Sequence, residues 1–128
     1  MPRRKVIVVD DEREFATTLA QRLRLRGYEA AAFTSAEEAL AAARREPPDV
    51  ILLDLKLPGM SGMELLMTIR EHIPGVRVVL LTGHLDHEAR IEGLRLDSFP
   101  YLMKPVVMDQ LLAKIEEGPP VRGEAGGR

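Results

Sequence analysis

The chain has 128 residues, 45% of them hydrophobic and 30% charged, with a formal net charge of −2. That length fits one domain with one core, and the balance excludes a disordered or fibrous chain and gives no case for nucleic acid or an anionic membrane as partner. The absence of cysteine excludes disulfides, thiol catalysis and Cys-based zinc sites, and no apolar run approaches the ~20 residues needed to span a bilayer.

Arg3-Arg4-Lys5 reads as a solvated end. It leads straight into a strand-like run, so nothing there resembles a signal peptide, and the cytoplasm is the expected location. Val6-Ile7-Val8-Val9 is β-branched throughout and ends on Asp10-Asp11, the pattern of a buried parallel strand terminated by acid. From Glu14 to Arg26, Phe15, Leu19 and Leu23 recur at every fourth position with Ala16 and Ala20 beside them, which predicts one face of a helix. Gly27 stops it, where a left-handed backbone is wanted. Tyr28 to Phe33 is a second strand, weakened by its alanines. Ser35 and Glu38 have capping-box spacing ahead of an Ala-rich helix that runs to Arg45 and ends at Pro47-Pro48.

Val50-Ile51-Leu52-Leu53-Asp54 is the third strand, and it runs into Leu55-Lys56-Leu57-Pro58-Gly59. Ser61 is placed to cap a helix reaching about His72, with Met63, Leu66 and Met67 as its inner stripe and the Met60, Met63 and Met67 cluster as core filler. Val76 to Leu81 is a fourth strand ending on Thr82, and a polar helix is expected from roughly Asp86 to Arg95. Tyr101-Leu102-Met103 is a short fifth strand ending on Lys104-Pro105; Val107, Leu111, Leu112 and Ile115 give the last helix its buried face. Residues 118–128 have linker composition without periodicity, a flexible tail or linker stub after a domain over 1–117. Strands alternating with helices predict an α/β, flavodoxin-like, doubly wound parallel sheet of five strands in the order 2-1-3-4-5, with helices on both faces.

In that topology the strand ends collect on one edge. Asp10 and Asp11, Asp54, Thr82 and Lys104 arrive from four different strands. Crowded carboxylates repel, so a cation must offset them, and hard oxygen ligands suit Mg²⁺. A lysine and a hydroxyl suit phosphoryl oxygens, and a carboxylate between metal and lysine can act as a nucleophile and form an acyl phosphate. Taken singly, each residue has a plainer explanation: solvated loop acids, a turn-forming Asp, a cap, a surface lysine. The coincidence of complementary groups on four strand ends favours the functional reading.

These residues also carry a family resemblance. Val8-Val9-Asp10-Asp11-Glu12, Leu53-Asp54-Leu55-Lys56-Leu57-Pro58-Gly59-Met60-Ser61-Gly62, Leu81-Thr82-Gly83-His84 and Tyr101-Leu102-Met103-Lys104-Pro105 stand in the order and spacing of a response-regulator receiver domain of two-component signalling, which the chain resembles from about Lys5 to Glu117. The resemblance implies a signalling switch rather than an enzyme, with self-phosphorylation from small donors and self-dephosphorylation as its only chemistry. Asp54 would accept the phosphoryl group from a sensor histidine kinase or phosphotransfer protein. Asp10, Asp11, Asp54 and the Lys56 backbone carbonyl would hold Mg²⁺. Lys104 and Thr82 would bind the phosphoryl group, Tyr101 would be the switch aromatic, and the Lys104-Pro105 bond would be cis. Lys56 and His84, at the mouth of the site, would tune hydrolysis. The fourth helix, fifth strand and fifth helix would form the output face, for a downstream protein target, a C-terminal output domain beyond this chain, or a homodimer.

Asp97-Ser98 replaces the Gly-Ala common before the switch aromatic, Pro100 removes a backbone donor at the start of the fifth strand, and Gly83 stands where Ala is usual. His84 and His87 lack a third ligand and read as a surface pair. Among rivals, a Mg²⁺-dependent phosphatase would want an acid where Lys56 stands. A flavin-binding module would want a phosphate loop where Asp10-Asp11-Glu12 stands. A receiver-like docking module acting without phosphorylation remains the main alternative.

Overall fold

The computed structural model describes residues 4–54, 62–82 and 100–117, the side chains of Met63 and Thr82 excepted. Among them are five strands, β1 (Lys5–Val9), β2 (Glu29–Phe33), β3 (Val50–Asp54), β4 (Arg77–Thr82) and β5 (Tyr101–Met103). The described helices are α1 (Arg13–Leu25), α2 (Ala36–Arg45), α3 (Gly62–His72) and a C-terminal helix, Met108–Glu116. The strands form one parallel sheet in the order β2-β1-β3-β4-β5, as the alternation of elements requires. The expected helix over 86–95, the Ser61 cap and the tail over 118–128 lie outside the described residues.

The strands are almost continuously apolar because both faces of the sheet are covered. Ile7, Val9, Ile51, Leu53, Val78 and Leu80 point to one side, where they pack with Ala36, Ala39 and Ala43 of α2 and Leu65, Leu66 and Ile69 of α3. Val6, Val8, Val50, Leu52, Val79 and Leu81 point to the other, against Ala16, Leu19, Ala20 and Leu23 of α1 and Leu111 and Ile115 of the C-terminal helix. Alternation along each strand thus sorts one apolar run into two cores. The chain turns one way from β1 to β2 and the other way from β2 to β3, so β1 and β3 lie side by side at the switch point.

Helix ends follow local chemistry. Gly27 has φ of 94°, and the Gly27 and Tyr28 amides donate to the Arg24 and Leu23 carbonyls at 3.0 and 3.1 Å, a Schellman closure of α1. Tyr28 is therefore spent on the helix end, and β2 begins one residue later than the sequence suggests. The Ser35 hydroxyl accepts from the Glu38 amide at 3.1 Å and caps α2.

Two inward assignments are corrected. Met67 is 57% exposed, because the buried stripe of α3 is set by Leu65, Leu66, Ile69 and Ile73, and Met67 falls off that arc. Val107 is the residue before the C-terminal helix and is 52% exposed; Leu111 and Ile115 carry the burial there.

Candidate acidic site at the strand ends

The ladder hydrogen bond from the Asp10 amide to Phe33, at 3.0 Å, extends β1 by one residue and carries Asp10 to the sheet edge. Asp10 is fully buried, Asp11 is exposed, and Asp54, at the end of β3, is 6% exposed. Each of the three can present a carboxylate oxygen such that these atoms all lie within 4.8 Å of one another. Asp10 Oδ1 accepts from the Glu12 amide at 2.9 Å, which fixes the carboxylate in place.

Lys104 follows β5 directly. Its Nζ lies 2.7 Å from Asp10 Oδ2, 3.4 Å from Glu12 Oε1 and 3.5 Å from Asp54 Oδ2. It also sits 4.7 Å from the centre of the Phe15 ring, in the first turn of α1. Burial alone would push the Lys104 pKa down. The close contact with Asp10 and the charges of Asp54, Asp10 and Glu12 together outweigh burial and hold it above the ordinary lysine value. Lys104 is thus an ammonium across the neutral range, and it supplies part of the charge that the acids require.

Asp10, Asp11, Asp54 and Lys104 converge. Thr82 ends β4 opposite Met103, so its backbone lies beside the strand that delivers Lys104, while its side chain lies outside the described atoms. Tyr101 begins β5 opposite Leu80, on the edge of the sheet, and is 39% exposed. The Lys104-Pro105 peptide is cis. Lys56 and His84 lie outside the described residues, as do Gly83, His87 and Asp97-Ser98. Two contributors were not foreseen from the sequence, Glu12 and Phe15. Phe15 read as a core position of α1, and Glu12 as the last of three consecutive acids.

The donor set fits a hard divalent cation such as Mg²⁺: clustered carboxylates, one of them solvent-facing and able to leave room for water. Among the described residues the buried Asp10 Oδ2 has no hydrogen-bond partner, its 2.7 Å contact with Lys104 standing as an ion pair. An oxygen so placed is suited to a metal.

The profile of the response regulator receiver domain matches residues 6–116. The chain belongs to that family. As a receiver domain it is a component of two-component signalling and, in general terms, a switch rather than a catalyst. Similar curated proteins include a probable transcriptional regulatory protein, TcrX, of Mycobacterium tuberculosis, 38% identical over 86% of this chain and 47% of its own length. The DNA-binding transcriptional regulator NtrC of Salmonella typhimurium is 35% identical over 91% of this chain and 25% of its own. The receiver domain therefore spans a quarter to a half of these relatives. Among solved structures, a CheY-like response regulator receiver domain protein from Methanospirillum hungatei superposes with a TM-score of 0.82 at 34% identity, covering 91% of this chain and 93% of that one. Receiver domains bind Mg²⁺ through an Asp cluster of the kind that Asp10, Asp11 and Asp54 form here.

Proposed function

We propose that this receiver domain is a phosphorylation-dependent switch in which Asp54 takes a phosphoryl group from a phosphohistidine of a sensor kinase or phosphotransfer protein. One observation carries the reading: the carboxylate of Asp54 ends a buried strand beside Asp10 and Asp11, with the Lys104 ammonium 3.5 Å away. A bond forms between an Asp54 oxygen and phosphorus as the phosphorus–nitrogen bond of the donor breaks, and the imidazole nitrogen keeps the electron pair. Mg²⁺, held by Asp10, Asp11, Asp54 and the Lys56 backbone carbonyl, would neutralise charge on the transferring phosphoryl group.

Lys104 then offers a charge-assisted hydrogen bond to the new phosphoryl oxygens, and the Thr82 hydroxyl a second donor. Movement of Thr82 towards the phosphoryl group frees space for Tyr101, whose exposed place on the edge strand is that of a ring with somewhere to go. The two positions of Tyr101 must be close in energy, so that the phosphoryl group biases an equilibrium already present. The surface around β5 and the C-terminal helix would pass the change to a separate target, to an output domain beyond this chain, or to a second copy. Lys56 and His84 are assigned to control of water access and hence of phosphoryl lifetime.

The test is the intact mass of the protein after incubation with Mg²⁺ and phosphoramidate or acetyl phosphate. One phosphoryl adduct is expected on the wild type and none on Asp54→Asn. A wild type that stays unmodified would contradict the proposal and leave the docking-module reading in its place.

A further inference from the structure

Glu12 occupies the N-cap of α1, where its carbonyl accepts the first helical bond, from the Ala16 amide at 3.0 Å. Its side chain makes no capping hydrogen bond. Glutamate is not among the preferred caps, whose short side chains reach the first-turn amides. The Glu12 carboxylate is directed instead across the sheet edge to Lys104, 92 residues away, at 3.4 Å. Glu12 is outside the carboxylate triad that could hold a metal, which comprises Asp10, Asp11 and Asp54.

Lys104 and a divalent cation have conflicting claims. The shortest contact of the ammonium, 2.7 Å, is to Asp10 Oδ2, an oxygen of that same triad. Two cations on one carboxylate repel, so an ion that claims Asp10 must loosen Lys104. Among the described residues the other contacts of the ammonium are Asp54, the proposed acceptor, and Glu12, with the Phe15 ring alongside. An ammonium drawn wholly onto Asp54 would neutralise the nucleophile.

We propose that Glu12 is a positioning residue for Lys104: its carboxylate receives the ammonium, which already lies against the Phe15 ring, when a divalent cation takes Asp10, and this eases metal entry and keeps Lys104 at the rim of the site. This rests on the proposed metal site and adds to it a residue that touches neither metal nor phosphoryl group. Glu12 also shapes Asp10 through its backbone amide, which a side-chain substitution leaves in place.

The test is a cycle of Mg²⁺ titrations by calorimetry on the wild type, Glu12→Gln, Lys104→Met and the double variant, with circular dichroism to verify folding and Lys104→Gln in reserve. Glu12→Gln should weaken Mg²⁺ binding roughly two- to five-fold, the size expected of a partly exposed ion pair. Lys104→Met should tighten it, and in that background Glu12→Gln should have little further effect. An equal loss in both backgrounds would mean that Glu12 acts only as a distant negative charge, and no loss in either that it does nothing; both overturn the proposal. A second arm needs no metal: the side-chain ammonium resonance of Lys104 should shift on Glu12→Gln, and an unmoved resonance also overturns it. A wild type that takes up no Mg²⁺ would overturn the proposed metal site and the transfer of Lys104 with it. The Lys104 resonance would still report whether Glu12 holds the ammonium.

Discussion

Lys104 faces Asp10, Glu12 and Asp54 at once, and one ammonium cannot neutralise three carboxylates. The shortfall favours a divalent cation, and it explains why Lys104 keeps its proton in spite of burial. Because its pKa is raised on folding, its contribution to stability is complete below the unfolded lysine value of about 10.4 and is lost only as pH rises through the higher folded value. A second perturbed group, Tyr28, lies elsewhere. Burial, then its hydrogen bond to Glu116 and the charge of that carboxylate, push its phenol up to about 12. Folding favours the neutral phenol, so this stabilisation is present below pH 10 and falls away between 10 and about 12. In a Tyr101→Phe protein, where Tyr28 is the remaining tyrosine, ultraviolet titration should give a midpoint near 12. A midpoint at 10 would contradict the Tyr28–Glu116 contact. At this scale the acids were legible in the sequence because each follows an apolar strand. The preference of Lys104 for Asp10 over Asp54 was not, since it depends on ångström differences across chain-distant groups. Glu12 and Phe15 escaped notice for the same reason: they stand at the N-cap and in the first turn of α1, and only packing brings Lys104 against them.

Elements were set by short-range rules where those rules were strong. Gly27 closes α1 and Ser35 opens α2 as local chemistry requires. Ser35→Ala should cost about 1 kcal/mol, read as a lower denaturant midpoint with unchanged slope. An unchanged midpoint would show that the Ser35 bond adds nothing. Leu111 is fully buried and joins the C-terminal helix to the core shared with α1. Leu111→Ala should cost about 2–5 kcal/mol, whereas Met67→Gln, on the exposed side of α3, should change stability by no more than about 0.5 kcal/mol. Comparable losses from the two variants would contradict the burial pattern. Met67 and Val107 show where periodicity misleads. An apolar residue near a helical stripe reads as part of it, but a helix in contact with a sheet buries only the arc that faces the strands.

The whole molecule follows from alternation. Strands too apolar for one wet face demand helices on both, and right-handed connections with one reversal leave β1 and β3 adjacent. That adjacency, inferred from the order of elements, is what brings Asp10 and Asp54 together from positions 44 residues apart. No described helix is long and apolar enough to cross a membrane. In the proposed switch the link from site to output face would run through Thr82 and Tyr101, and of the two only Tyr101 has a described side chain. The central claim is that Asp54, among the clustered acids, is the one that carries the phosphoryl group. Its most direct test is to phosphorylate the protein with phosphoramidate and Mg²⁺, reduce it with borohydride and map the peptides by mass spectrometry. Reduction converts an aspartyl phosphate to homoserine. The account predicts homoserine at position 54 alone; homoserine at position 10 or 11, or phosphate retained elsewhere on the chain, would contradict it.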